Sequence, residues 1–143
     1  IANQDILVKL KRYKESKMSS DIVNKYEDFV IDRKEDMTIL TINISRPSNK
    51  EVNEFKLTLD DVLSFTDSKK LIIDFNACSF PDSVMLGAMV KAHKELQKNG
   101  GFLVAVAYPG KVRFLLGQTG LDRIIKIFDT KEDAIISFKS EIF

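Results

Sequence analysis

The chain has one cysteine, one histidine, three prolines and no tryptophan among its 143 residues. A single cysteine, Cys78, excludes an internal disulfide, and it follows a strand pattern directly, where a small buried hydrophobe is expected rather than a nucleophile. His93 stands alone inside a helical pattern, so a metal site has little support and a surface or half-buried structural role is expected. We therefore expect no metal and no cofactor.

A long apolar run and an excess of charge of one sign are also missing. No stretch approaches the roughly 18 apolar residues of a membrane-spanning helix, so no membrane insertion is expected. The net charge of +1 is too balanced to drive nucleic-acid binding by electrostatics alone, and no nucleic-acid partner is expected. No signal peptide is visible, and the length fits one cytoplasmic domain.

The motifs of common enzyme classes are absent as well. There is no P-loop, no glycine-rich dinucleotide fingerprint and no Gly-x-Ser-x-Gly elbow. The Gly100-Gly101 pair falls at the end of a helical pattern, so it cannot present a helix N-terminus to a phosphate. The carboxylates are scattered near lysines, which is typical of a solvated face. The sequence thus predicts that the protein is not an enzyme.

What the chain does contain is a regular alternation of strand and helix patterns. Short strands at 28–33 and 37–44, joined by a polar turn, predict an antiparallel hairpin. The helices that follow are expected at 48–66, 83–98, 111–119 and 130–140. Apolar strands are expected between them at 70–75, 102–107 and 124–128. This order predicts an α/β fold with a mixed, mostly parallel sheet, an N-terminal antiparallel hairpin and about four helices.

The first 26 residues are expected to form an N-terminal helical extension or linker, with the folded domain at 27–143. The chain opens on Ile1 rather than Met, which fits a piece of a longer protein whose remainder lies upstream. A connector to an upstream domain, a helix that forms a homodimer and an extra layer on the sheet all remain open for this segment.

One constellation lies just past a buried strand and opens a helix, at residues 80–87. In open α/β sheets this edge is where ligands and partners bind. Asp82 or Ser83 is the expected N-cap, and the Ser83 hydroxyl is expected near the surface. A plain capped helix start would account for the same two residues. The same dipeptide at Asp67-Ser68 lies in a loop pattern and is assigned no role.

These segments together resemble the STAS family, and in particular its bacterial anti-sigma factor antagonists. The resemblance covers about residue 26 to the C-terminus and implies a STAS-like (SpoIIAA-like) fold. The matching motifs are Leu71-Ile72-Ile73-Asp74-Phe75, Phe80-x-Asp82-Ser83-x-x-Leu86-Gly87, Gly100-Gly101-Phe102-Leu103-Val104, Pro109-Gly110-x-Val112, Thr119-Gly120-Leu121-Asp122-Arg123 and Thr130-Lys131-Glu132-Asp133-Ala134.

The resemblance implies a phosphorylation switch that regulates transcription by partner switching. Ser83 would be the phosphoacceptor, and the partners would be an anti-sigma factor that is also a serine kinase, and a phosphatase. The residues that the resemblance places in the partner-binding surface are Asp82, Ser83, Val84, Leu86 and Gly87.

Val84 and Met85 depart from the family pattern, which has smaller residues after the serine. Two alternatives stay open. One is the cytoplasmic STAS tail of an anion transporter. The other, for which the departure leaves room, is a non-phosphorylated structural or regulatory subunit of a lipid-transport complex. Transporter tails carry long insertions after the hairpin, and the short loops of this chain argue against the first alternative.

Overall fold

Five short strands rich in β-branched residues form a single sheet in the computed structural model, which describes residues 24–64 and 69–140. The hairpin and the first crossover comprise β1 (Phe29–Lys34), β2 (Met37–Ile42) and helix α1 (Asn49–Leu63). The rest comprises β3 (Lys70–Asp74), α2 (Ser83–Lys98), β4 (Phe102–Val106), α3 (Lys111–Gln118), β5 (Lys126–Phe128) and α4 (Lys131–Ser140).

The sheet has the strand order β1-β2-β3-β4-β5, so each strand pairs with its neighbours in sequence. The β1–β2 pair is antiparallel and the other three pairs are parallel. The predicted α/β class is confirmed, with a mixed, mostly parallel sheet, an N-terminal hairpin and four α-helices among the described residues. None of these helices is both long enough and apolar enough to span a bilayer.

The two faces of the sheet bury different helices. On one face, Leu71 and Ile73 of β3 join a core built with α1 and α2, in which the Phe29 and Phe55 rings lie 5.8 Å apart. On the other face, Ile72 packs with Phe138 of α4. Successive residues of β3 therefore point into two separate cores, which is why this strand is apolar along its length.

Ser48 and Glu51 are joined by hydrogen bonds at the start of α1. The backbone N–H of Ser48 donates to Glu51 Oε1 at 3.0 Å, and the Ser48 hydroxyl donates to the same oxygen at 2.8 Å. These hydrogen bonds hold the pKa of the Glu51 carboxyl below its ordinary value. The predicted end of this helix near Thr66 lies outside the described residues.

Several predicted boundaries differ from the structure by one or two residues, and β2 ends at Ile42 rather than Ile44. The last strand begins at Lys126 rather than Ile124, because Leu121–Arg123 forms a 3-10 turn whose Leu121 carbonyl accepts from the N–H groups of Ile124 and Ile125. Of the predicted N-terminal helical extension or linker, only residues 24–26 are described, and they are not helical. Asn24 instead uses its side-chain oxygen to accept from the Ile31 N–H at 2.7 Å.

His93 is buried, with 5% of its surface exposed, rather than at or near the surface. Its Nδ1 accepts a hydrogen bond from the Leu103 backbone N–H at 3.3 Å, and so joins α2 to β4. Burial lowers the pKa of His93 below its ordinary value of 6.5, because the charged imidazolium loses solvation. A protonated Nδ1 would also cease to accept from Leu103.

The lowered pKa of His93 predicts a stability that depends on pH. The unfolded chain binds the imidazole proton at pH values where the folded protein does not, so the free energy of unfolding should fall as pH drops below 6.5. Urea unfolding of wild type and His93→Gln across pH 5 to 8 measures the effect. The variant should lose this part of the pH dependence, and parallel curves for the two proteins would contradict the assignment.

Candidate functional site

The carboxyl ends of β2, β3 and β4 meet at one edge of the sheet, and the loops that leave them lie side by side. The loop between β3 and α2 is held to the loop after β2 by two hydrogen bonds. The backbone N–H groups of Ser79 and Phe80 both donate to the Ser45 carbonyl, at 3.0 and 2.9 Å. This anchoring places the start of α2 against the neighbouring loop.

Asp82 caps α2, and Ser83 does not. Asp82 has an extended backbone, and its Oδ1 accepts from the Val84 N–H at 2.7 Å, the usual geometry of an N-cap. Ser83 is the first helical residue and is exposed. Its hydroxyl makes no hydrogen bond within the described part of the chain. The serine hydroxyl is thus at the surface, and the helix start does not depend on it.

The other residues predicted for the partner surface divide between surface and core. Val84 is 51% exposed, and Gly87 faces open space, since a β-carbon built there would meet no atom within 4 Å. Leu86 is only 6% exposed and packs in the larger core, so it lies beneath the surface rather than on it. Met85 is fully buried. Of the two residues that depart from the family pattern, only Val84 stands beside Ser83 at the surface.

Two cationic side chains lie against the ring of Phe80, a contact that the sequence did not reveal. The guanidinium carbon of Arg46 lies 4.0 Å from the ring centroid, and Nζ of Lys111 lies 3.5 Å from it. Phe80 itself is 38% exposed. Both distances are within the range of cation–π attraction. Arg46 and Phe80 lie in two different loops of this sheet edge and Lys111 is the first residue of α3, so no sequence spacing could have indicated their contact.

Hydrogen bonds fix the first turn of α3, which contains Lys111, against the ends of the neighbouring strands. Arg113 donates to Asp129 Oδ1 at 2.6 Å and to the Ala107 carbonyl at 3.0 Å. Asn76, just past β3, accepts from the Tyr108 N–H at 2.8 Å. These contacts join α3 to the ends of β3, β4 and β5.

The thiol of Cys78 is buried at the same edge, with 1% of the residue exposed. Burial raises the pKa of this thiol, because the thiolate would lose solvation. The residue therefore behaves as the small core hydrophobe that was predicted. Within 24–64 and 69–140, no group of three or more His, Cys, Asp or Glu side chains is arranged to hold a metal ion.

A five-stranded sheet with this order, and a helix that opens on Asp-Ser at its carboxyl edge, defines the class of protein. The model of the STAS domain family matches residues 29–134, which is most of the chain. The chain belongs to the STAS family.

Several of the relatives are named as anti-sigma factor antagonists. A Thermotoga maritima protein named as an anti-sigma factor antagonist is 36% identical over 87 residues, which cover 61% of this chain and 63% of that protein. The chain thus spans less than two thirds of the curated relative's length. A crystal structure of a T. maritima protein of the same name has a TM-score of 0.69 and 28% identity, and covers 80% of this chain and 97% of that one.

The Bacillus cell fate determinant SpoIIAA, solved in its phosphorylated form, has the same fold. Its TM-score is 0.61 with 17% identity, and the match covers 77% of this chain and 98% of that one. This likeness concerns the fold, and it confirms the predicted SpoIIAA-like architecture.

The capping geometry predicts different costs for two adjacent substitutions. Asp82→Ala should lower the free energy of unfolding by about 1 kcal/mol, because the Val84 N–H loses its acceptor. Ser83→Ala, the matched control, should change it by less than about 0.5 kcal/mol. Urea unfolding of both variants measures the difference. A loss for Ser83→Ala equal to that of Asp82→Ala would show that the serine also supports the helix start.

Proposed function

We propose that this chain is a protein-interaction module of the anti-sigma factor antagonist type, switched by phosphorylation of Ser83. The observation that carries the proposal is the division of roles at the start of α2. Asp82 holds the helix, and the adjacent serine presents an exposed hydroxyl with no hydrogen bond among the described residues. Such a hydroxyl can be modified without removing a contact on which the fold depends.

The switch requires a kinase that brings its own nucleotide. Ser83 Oγ would bond to the γ-phosphorus of ATP held by the kinase, the bond to the β-phosphate oxygen would break, and the hydroxyl proton would leave with a base of the kinase. A separate phosphatase would hydrolyse the ester and restore the serine. By family resemblance the kinase is itself the anti-sigma factor, and the unmodified chain binds it and so releases sigma in a bacterial cytoplasm.

Charge and bulk at Ser83 would act on the partner surface rather than on the fold. A phosphate brings a charge of about −1.5 to −2 at neutral pH, and the helix N-terminus tolerates it. Beside it lie Val84, which offers an apolar contact, and Gly87, over which no protein atom lies. A partner that packs closely on this surface would meet the phosphate directly, so binding would be lost without unfolding.

The reactive side chains of the domain favour binding over catalysis. Cys78 and His93, which could otherwise serve as nucleophile or base, are both buried. The His93 imidazole holds β4, and the Cys78 thiol packs in the core. Neither side chain is presented to a substrate at the exposed edge.

Phosphorylation in the cell is the first expectation to test. Mass spectrometry of the protein purified from its native cells should find a phosphate on the peptide that contains Ser83. Ser83→Ala should remove the modified peptide, whereas Ser79→Ala, which replaces an exposed serine of the same loop, should leave it. An unmodified Ser83 under several growth conditions would contradict the switch and favour a non-phosphorylated STAS subunit.

Gly87 provides a second test, which separates stability from binding. Gly87→Ala should raise the free energy of unfolding by about 0.5 to 1 kcal/mol, because alanine restricts the unfolded chain and meets no atom in the fold. The same variant should weaken binding to the kinase that phosphorylates Ser83, because the added methyl stands where the partner packs. Calorimetric titration measures this, with Ser79→Ala as the control. Undiminished binding would place the partner elsewhere.

A further inference from the structure

Arg46 and Lys111 differ from the other cations near the sheet edge in what they contact. Arg113 of the same helix as Lys111 is paired with Asp129, with 2.6 Å between Nη1 and Oδ1. Arg46 and Lys111 lie over the ring of Phe80 instead, and neither has a carboxylate within 4.0 Å among the described residues. Two positive charges thus lie against one aromatic ring, and neither forms an ion pair within the described part of the chain.

Phe80, which both cations contact, is near Ser83 along the chain. Phe80 precedes Ser83 by three residues, so their α-carbons are at most about 10 Å apart. Hydrogen bonds restrain the chain between them. The Phe80 N–H donates to the Ser45 carbonyl, and the Val84 N–H donates to the Asp82 carboxylate. The long side chains of arginine and lysine carry their charge on flexible stems and can cover the remaining distance.

We propose that Arg46 and Lys111 are the receptor for the phosphate on Ser83, and that they leave the Phe80 ring to bind it. This inference rests on the proposed function, since it concerns the modified state of the same serine. Hydrogen bonds from a cation to a phosphate are stronger than an exposed cation–π contact. Both side chains are therefore more stable on the phosphate than on the ring. The two positive charges nearly balance the phosphate.

The consequence is that phosphorylation changes the shape of the surface as well as its charge. When the cations move to the phosphate, the ring of Phe80, already 38% exposed, loses the groups that cover it. The surface that a partner meets then lacks both the serine hydroxyl and the cation-covered ring. The two states of the site would differ over a wider area than one side chain.

The phosphate itself can report the contact in the isolated full chain. Phosphoserine is encoded at position 83, and the second phosphate pKa is measured by ³¹P NMR against pH. Each nearby cation should lower this pKa by roughly half a pH unit, because it favours the dianion. Arg46→Gln and Lys111→Gln should each raise the phosphate pKa by about half a pH unit relative to wild type, and the double variant should raise it by about one pH unit. The matched control is Lys94→Gln, an exposed lysine about three turns along α2.

A second NMR signal reports whether Lys111 remains on the Phe80 ring. In the unmodified chain, the ring current of Phe80 should shift the Lys111 ε-methylene protons upfield, and phosphoserine at position 83 should remove that shift. A phosphate pKa that is the same in wild type, Arg46→Gln and Lys111→Gln would overturn the proposal, as would ε-protons that stay shifted with the phosphate present. Neither measurement needs a kinase. A failure here is therefore distinct from an unmodified Ser83 in native cells, which would count against the proposed function.

Discussion

The parallel pairing of β3 with both β2 and β4 is the constraint on which the site depends. β3 lies between two strands and between two layers of helices, so its residues are buried on both faces. The position of its carboxyl end is therefore set by the packing around it. The loop that leaves this end is joined to the loop after β2 through the Ser45 carbonyl. The position of Phe80 and Ser83 therefore follows from the sheet.

A helix start that is phosphorylated, as we propose for Ser83, has to be stable in two chemical states, and the arrangement at Asp82 and Ser83 would meet that requirement. If the serine capped the helix, its modification would remove the bond that holds the first turn. The aspartate instead accepts from the Val84 N–H and leaves the serine hydroxyl unoccupied. The contrast with Ser48 is instructive, since that serine bonds Glu51 at the start of α1 and has no comparable freedom.

Much of the fold followed from local patterns in the chain. The bounds of α2 were predicted to the residue, because Asp82-Ser83 at one end and Asn99-Gly100 at the other are strong local signals. The start of β5 was predicted two residues too early. Ile124 and Ile125 are β-branched and so suit a strand, but their N–H groups donate to the Leu121 carbonyl in a 3-10 turn. The burial of His93 was missed for a related reason, since its partner, the Leu103 N–H, belongs to another element.

By itself, the sequence determined the class of fold, the helix that opens on Ser83 and the family resemblance, because periodicity and capping act over a few residues. Only the tertiary structure decided that Asp82 is the cap, that Leu86 lies in the core, and that Arg46 and Lys111 share the ring of Phe80. Those facts depend on which loops meet at the sheet edge. That meeting is set by strand order and register, which join residues far apart in the chain.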